Sequence, residues 1–314
     1  MDQPGLMRKL FSNQERRFGF LPGRQQQPEL PDELWEKCAG CGEMIYAAEF
    51  EQNAHVCPKC DHHARLSARK RVAYLLDEGS FAERDNEMRS RDILGFERPD
   101  RSYEQKLADE ADKAGIPESV VYGTGTVRGE DVVLAVIDTN FFMATMGSVV
   151  GEKITRAIEL ATVTRTPLII VSASAGARME EGMFSLMQMA KTSAALTRLH
   201  EARVLYVSIL TDPTLAGVTA SFATLADVIV AEPQATIGFT GPRLIEQITH
   251  AKLPAGTHSA EFMLERGMVD CIVPRADLRR TLARLIGLYS HQTSDPRTDV
   301  VPPTNGSTQA ETVS

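Results

Sequence analysis

No apolar run in the 314 residues approaches the roughly 18–20 that a membrane-crossing helix needs, so a helical span is excluded. The N-terminus carries Arg8, Lys9, Arg16 and Arg17 but has neither the apolar core nor the small-residue cleavage site of a signal peptide. Positive charge is in deficit. Thirty-four Lys and Arg stand against 42 Asp and Glu, a net charge of −8, which argues against non-specific nucleic-acid binding by the whole chain and leaves only a local basic patch for that role. Cysteine is scarce. Of five, four fall in two close pairs, the spacing of metal ligands in a reducing compartment rather than of a disulfide framework. No convincing Ser-His-Asp or Cys-His set can be assembled. What remains is a soluble, cytoplasmic, metal-containing protein, long enough for one large domain and a small one.

The small domain is legible in its cysteines. Cys38-Ala39-Gly40-Cys41 and Cys57-Pro58-Lys59-Cys60 give C-x2-C, fifteen residues, C-x2-C, the spacing of a tetrathiolate zinc site. Each turn presents two thiolates to one tetrahedral ion, and four such ligands close the site, so the zinc is structural rather than catalytic. Met44-Ile45-Tyr46 and Glu49-Phe50 fit the short strands of a zinc ribbon. His55, His62 and His63 lie nearby, but four well-spaced cysteines leave them no vacancy. A basic run follows, Arg65, Arg69, Lys70 and Arg71. It suits a nucleic acid, cofactor phosphates or a partner subunit, or is the solvated face of a helix whose apolar side is Leu66, Val72, Leu75 and Leu76.

The large domain is organised around Pro167-Leu168-Ile169-Ile170-Val171, a strand buried on both faces, followed by the small-residue turn Ser172-Ala173-Ser174-Ala175-Gly176-Ala177-Arg178. From Met179 the spacing turns helical, with Met183, Met187 and Ala190 on one face. Small side chains let a ligand approach the backbone N–H groups of such a turn, which suits a thioester oxygen that becomes an enolate. They equally let a helix pack closely on a strand. Upstream, residues 120–127 and 132–137 read as a hairpin, and Ser148 as the N-cap of a helix. The central unit recurs: strand 204–210, turn Thr211 to Gly217, short helix 218–225, then strands at 227–231 and 235–239. Repeated units of this kind predict an α/β superhelix of ββα repeats with parallel sheets, its turns at Ala175-Gly176 and Ala216-Gly217 lining one cleft. The expected organisation is a flexible leader over 1–30, the ribbon over 31–64, the main domain over 65–290 and a disordered tail over 291–314.

Four stretches then resemble one family: Cys38 to Arg71, Met146-Gly147-Ser148-Val149-Val150-Gly151, Ser185 to Leu196, and Ile237-Gly238-Phe239-Thr240-Gly241-Pro242-Arg243. They are similar to the carboxyltransferase beta subunit of bacterial acetyl-CoA carboxylase, over about Leu34 to Leu285. The resemblance implies a crotonase-like (ClpP/crotonase) fold and transfer of a carboxyl group from carboxybiotin to acetyl-CoA, giving malonyl-CoA for fatty acid biosynthesis. It implies as partners a carboxyltransferase alpha subunit in an α2β2 heterotetramer, a biotin carboxyl carrier protein that supplies biotin in trans, and biotin carboxylase. Carried over by position, Ala175 and Gly176 would offer amides to the acyl-CoA carbonyl, and Ala216 and Gly217 would line the same cleft. Arg178 and Lys191 are candidates for the CoA phosphates, each with an ion pair as its blander reading. The methionines at 179, 183, 187 and 189 read as core filler or subunit interface, and Cys271 as a buried structural thiol.

The chain departs from the family pattern of Gly-Gly at three places: Met143-Ala144, Ala175-Gly176 and Ala216-Gly217. Alanine keeps the N–H, but its methyl crowds a ligand and strains any turn that needs positive φ. This predicts a divergent paralogue with altered acyl-CoA or inhibitor tolerance, with loss of catalysis as the competing outcome. A second function class, a non-catalytic ribbon that binds nucleic acid or a partner, rests on the basic run and the missing glycines.

Overall fold

The computed structural model describes residues 34–97 and 99–290, so the expected leader and tail lie outside the described residues. At the N-terminal end, β1 (Trp35–Lys37) and β2 (Met44–Tyr46) pair antiparallel and lead into α1 (Ala47–Gln52). The strand expected at Glu49-Phe50 is therefore helical. Its sequence, AAEFEQ, consists mostly of strong helix formers, and a helix turn brings Phe50 inward against Ile45, Cys38 and Cys57.

After the ribbon come α2 (Ala68–Leu75), β3 (Ala82–Arg84) and α3 (Tyr103–Ala114), the last opened by a capping box between Ser102 and Gln105. β4 (Val120–Val127) and β5 (Glu130–Ile137) form the expected hairpin. α4 (Ser148–Thr164), β6 (Leu168–Ser174), α5 (Met183–Glu201), β7 (Tyr206–Leu215) and α6 (Ala216–Thr219) follow. The chain then runs through β8 (Val228–Ala231), β9 (Ile237–Gly238), α7 (Pro242–Thr249), α8 (Ala260–Glu265), β10 (Cys271–Ile272) and α9 (Leu278–Ser290). One sheet takes the order β10-β8-β7-β6-β5-β4-β3, with β9 also pairing β7. Pairing is parallel from β5 through β10 and antiparallel over β3, β4 and β5, so the sheet is mixed.

Every residue of β6 is buried, as its uninterrupted apolar run requires. Leu168 and Ile170 face a core shared with Ile154 and Ile158 of α4 and Leu196 and Leu199 of α5. Ile169 and Val171 face the opposite core, with Leu75 of α2, Leu107 of α3 and Leu282 and Ile286 of α9. α4 and α5 approach closely at Gly151, where a Cβ would lie 2.2 Å from Gln188 Oε1. Among the described residues no helix is long and apolar enough to cross a membrane.

Four local expectations are corrected. Gly147, not Ser148, is the N-cap of α4, and the Ser148 N–H donates to Glu181 Oε2. β7 continues through Thr211 to Leu215, read from sequence as a turn, because Thr214 N–H donates to Thr236 O at 2.8 Å and the Thr211 and Thr214 hydroxyls both donate to Ser172 O at 2.9 Å. The helix beyond it starts at Ala216 and breaks before a 3-10 turn at Phe222–Thr224. α5 starts only at Met183, after a 3-10 turn at Met179–Glu181, since Gly182 sits at φ 51° and ψ −128°.

Candidate functional site

The four cysteines of the ribbon converge. Their sulfur atoms all lie within 4.8 Å of one another, with Cys38 and Cys60 at 3.7 Å and Cys41 and Cys57 at 3.8 Å. Tetrahedral zinc with Zn–S bonds of about 2.3 Å separates sulfurs by about 3.8 Å, so the donor set fits that ion. The N–H of Gly40 points at Cys38 Sγ and that of Lys59 at Cys57 Sγ, as thiolate charge requires. The histidines have other work. His63 accepts the Arg275 N–H at Nε2 (3.1 Å) and is bonded to Asp61 O through Nδ1, and burial lowers its pKa, keeping it neutral for that role. His55 stacks edge-on against Phe50, and His62 packs over Gly40.

Arg65, Arg69 and Lys70 of the basic run are exposed, as the solvated-face reading expects, while Arg71 is buried. Each member of the run meets a carboxylate: Arg65 with Asp212, Arg69 with Glu83, Lys70 with Glu51, and Arg71, fully inside, with Glu232. Glu232 also receives Arg275, at 2.7 and 2.8 Å. Arg275 donates in addition to Ala54 O at 2.7 Å and Ala64 O at 2.9 Å, so one guanidinium clamps the ribbon backbone to the main domain. Burial alone would raise the Glu232 pKa; the two guanidinia outweigh it and hold the carboxyl at about 2. Sequence reading missed Glu232 and Arg275, which lie 161 and 204 residues from Arg71 with nothing local to mark them.

The two small-residue turns meet. β6 ends at Ser174 and β7 at Leu215, and a Cβ built on Gly176 would touch Ala216 Cβ at 3.4 Å. Of the four expected amide donors, three have acceptors inside the fold: Ala175 N–H bonds Met143 O at 3.1 Å, Gly176 N–H bonds Ser174 Oγ at 3.1 Å, and Ala216 N–H bonds Phe239 O at 2.9 Å. The Gly217 N–H, in the first turn of α6, has no acceptor among the described residues. Nor has the Ala177 N–H, because Gly176, at φ 136°, turns the chain so that the bonds to Met146 are made by its neighbours: Met146 N–H to Gly176 O, and Arg178 N–H to Met146 O. Ala177 was not anticipated as a donor. Its signal was a single glycine between two alanines.

Arg178 cannot reach a phosphate. Its side chain is wholly buried and clasps Glu118 at 2.7 and 2.8 Å, an ion pair that outweighs the cost of burial and raises the arginine pKa further. Lys191, part-exposed, pairs with Glu152. The methionines are not core filler: Met179, Met183 and Met187 are 77%, 64% and 55% exposed, and Met189 alone packs partly inward. The inner face of α5 begins instead with Ser185, Gln188 and Thr192, small or polar where α4 comes closest. Cys271 is half-buried on β10.

The three alanines differ. Ala144 and Ala216 lie at φ 55° and 53°, in the left-handed region, while Ala175 does not. An L-residue there costs about 1–2 kcal/mol, against about 0.5–1 kcal/mol of extra chain entropy for glycine. Ala216→Gly is therefore expected to raise stability by about 0.5–1 kcal/mol and Ala175→Gly to lower it by a similar amount. Urea midpoints of the two variants check this; equal shifts would remove the strain.

Two family models match: "Carboxyl transferase domain" over residues 61–307 and "Acetyl-CoA carboxylase zinc finger domain" over 35–60. The chain is 52% identical over 264 residues to the acetyl-coenzyme A carboxylase carboxyl transferase subunit beta of Desulforamulus reducens, covering 84% of this chain and 90% of that one. To its counterpart from Desulfitobacterium hafniense it is 53% identical over 258 residues, 82% of this chain and 84% of that one. Among solved structures it is similar to transcarboxylase 12S with methylmalonyl-coenzyme A bound (TM-score 0.60, 26% identity), covering 77% of this chain but only 43% of that longer one. A Pseudomonas malonate decarboxylase heterodimer, at 24% identity and TM-score 0.53, shares the fold over 72% of this chain and 86% of that one. A zinc ribbon clamped to a crotonase-like core, matched by both models and by half-identical relatives over most of its length, makes this chain a member of the acetyl-CoA carboxylase carboxyl transferase subunit beta family.

Proposed function

We propose that the chain accepts acetyl-CoA in the cleft between the 175–178 and 216–217 turns and converts it to malonyl-CoA, with carboxybiotin delivered on a carrier protein as donor. Carboxybiotin supplies CO2 and, as the carboxyl leaves, a ureido nitrogen basic enough to take a proton from the acetyl methyl. The thioester oxygen then gains the negative charge of an enolate, whose carbon forms the new bond to CO2. The chain's part is to meet that oxygen with fixed donors, and each such donor is worth on the order of 3–4 kcal/mol of barrier. The observation that carries the reading is a pair of amides, Ala177 N–H and Gly217 N–H, without acceptors among the described residues, on two touching turns. No side-chain base is required of this chain, in keeping with the absence of any Ser-His-Asp set. Lys191, on the exposed flank of α5, is the remaining candidate for a CoA phosphate.

The other half of the site belongs to an alpha subunit in an α2β2 assembly, with the carrier and biotin carboxylase completing the enzyme in the cytoplasm. The exposed Met179, Met183, Phe184, Leu186 and Met187 support a covering partner of this kind, since a contiguous apolar ridge is costly in water. The test is malonyl-CoA formation by this chain with its alpha subunit, carboxylated carrier and acetyl-CoA. Turnover with acetyl-CoA is the expected result. Turnover only with longer acyl-CoAs would reassign the substrate, and none from a stable, zinc-loaded complex would sink the reading.

A further inference from the structure

The turn after β6 is fastened by charge buried beneath it. Arg178 Nη1 and Nη2 clasp Glu118, just ahead of β4, and Nη2 also donates to Thr145 O at 3.0 Å while Nε donates to Thr145 Oγ1 at 3.3 Å. Nη1 lies 3.4 Å from Glu181 Oε1, which accepts the Tyr103 hydroxyl of α3 at 2.8 Å. Glu181 Oε2 takes the first N–H of α4, from Ser148. Ser90 Oγ donates to Glu118 Oε2 at 2.6 Å and accepts from Arg178 Nη1 at 3.1 Å. The backbone repeats the tie, with Ala175, Met146 and Arg178 N–H groups joining the turn to the 143–146 loop. The loop opens with left-handed residues in succession, Phe142 just before it and then Met143 and Ala144. Such conformations persist only where their surroundings over-determine them. The packing admits no side chain at Gly147, where a Cβ would lie 2.6 Å from Glu181 Oε1 and 3.0 Å from Arg178 Nη1.

A dry cluster of two carboxylates and one guanidinium is a poor source of net stability compared with apolar packing, but it fixes geometry in several directions at once. We propose that Glu118, Arg178 and Glu181 are positioning residues for carboxyl transfer, holding the 175–178 turn so that the Ala177 N–H meets the acyl oxygen as it becomes an enolate. The inference rests on the transfer reading given above. The cluster itself touches no substrate; it acts through the loop and the turn.

The test uses the full chain in complex with its alpha subunit and compares Glu118→Gln and Arg178→Lys with the unmodified protein. Each variant is expected to lower kcat about 100-fold, the scale of one misplaced oxyanion donor, with KM for acetyl-CoA within about twofold. Loss of CO2 from carboxybiotin without acetyl-CoA should stay near the unmodified rate. The infrared carbonyl band of acetyl-CoA carrying 13C at the thioester carbon supplies a readout without turnover. It should shift to lower frequency on the unmodified complex and return toward the free position on the variants. If Glu118→Gln fails to assemble, Ser90→Ala removes one hydroxyl from the cluster and should give a smaller loss of kcat in the same direction. Unchanged kcat, an unchanged carbonyl band, or a loss of kcat matched by equal loss of carboxybiotin decarboxylation would overturn the assignment. An unmodified complex that makes no malonyl-CoA would instead fail the transfer reading, while the band still decides whether the cluster sets the turn.

Discussion

Removing the metal, by chelator or by Cys57→Ser, is expected to unfold residues 35–64 while the eight-stranded sheet stays folded. The ribbon's own core holds four buried residues, and two of them, Cys38 and Cys57, are ligands. Without the ion only Ile45 and Phe50 remain, too little apolar area to offset the entropy of ordering thirty residues. Structural zinc contributes on the order of 10 kcal/mol to a unit of this size. The two large clusters of the main domain contain no ribbon residue, which is why the loss should stop there. Amide hydrogen exchange is the measurement. Residues 35–64 should lose protection as zinc is withdrawn, with β6 and β7 unchanged. Persistent protection in a metal-free ribbon would show that the clamp alone folds it.

The clamp gives the second large effect. Glu232→Gln leaves two buried guanidinia, Arg71 and Arg275, facing a neutral amide, and breaking a buried ion pair from one side costs about 3–5 kcal/mol. The pH dependence gives an independent check. Glu232, with its pKa lowered to about 2, contributes stability that is fully present above its unfolded value near 4.5 and is lost as pH falls toward 2. The difference corresponds to about 3 kcal/mol, in line with the mutational figure. Urea midpoints between pH 5 and pH 2 should fall steeply for the unmodified chain and less for Glu232→Gln. Parallel curves would mean that Glu232 is not the titrating group.

Local features proved readable where one segment decided them. The C-x2-C pairs specify a metal site because two thiolates per turn leave few other geometries, and the apolar run at 168–171 could only be a strand covered on both faces. The hairpin followed from the Arg128-Gly129-Glu130-Asp131 turn between two strand-forming runs. The failures share a cause. Arg71 and Arg178 looked like surface cations because their carboxylates, Glu232 and Glu118, lie 161 and 60 residues away. α5 looked amphipathic in the wrong sense, since Met183, Met187 and Ala190 share its outer face. Which amides of the two turns stay free depended on Met143, Ser174 and Phe239 as acceptors, and no spacing rule supplies those. The family resemblance pointed to the two turns, and tertiary hydrogen bonding decides which of their N–H groups are engaged.

If the proposed alpha subunit covers it, the methionine ridge on the outer face of α5 bears on how the two chains change over time. Unbranched thioethers re-form around whatever contour opposes them, unlike interlocked aromatic rings. Met179, Met183 and Met187, all exposed, would then accept substitutions in the opposing chain without matching ones of their own. Along such a seam two genes would be freed from strict co-variation, and subunits of different descent would meet the least resistance to pairing.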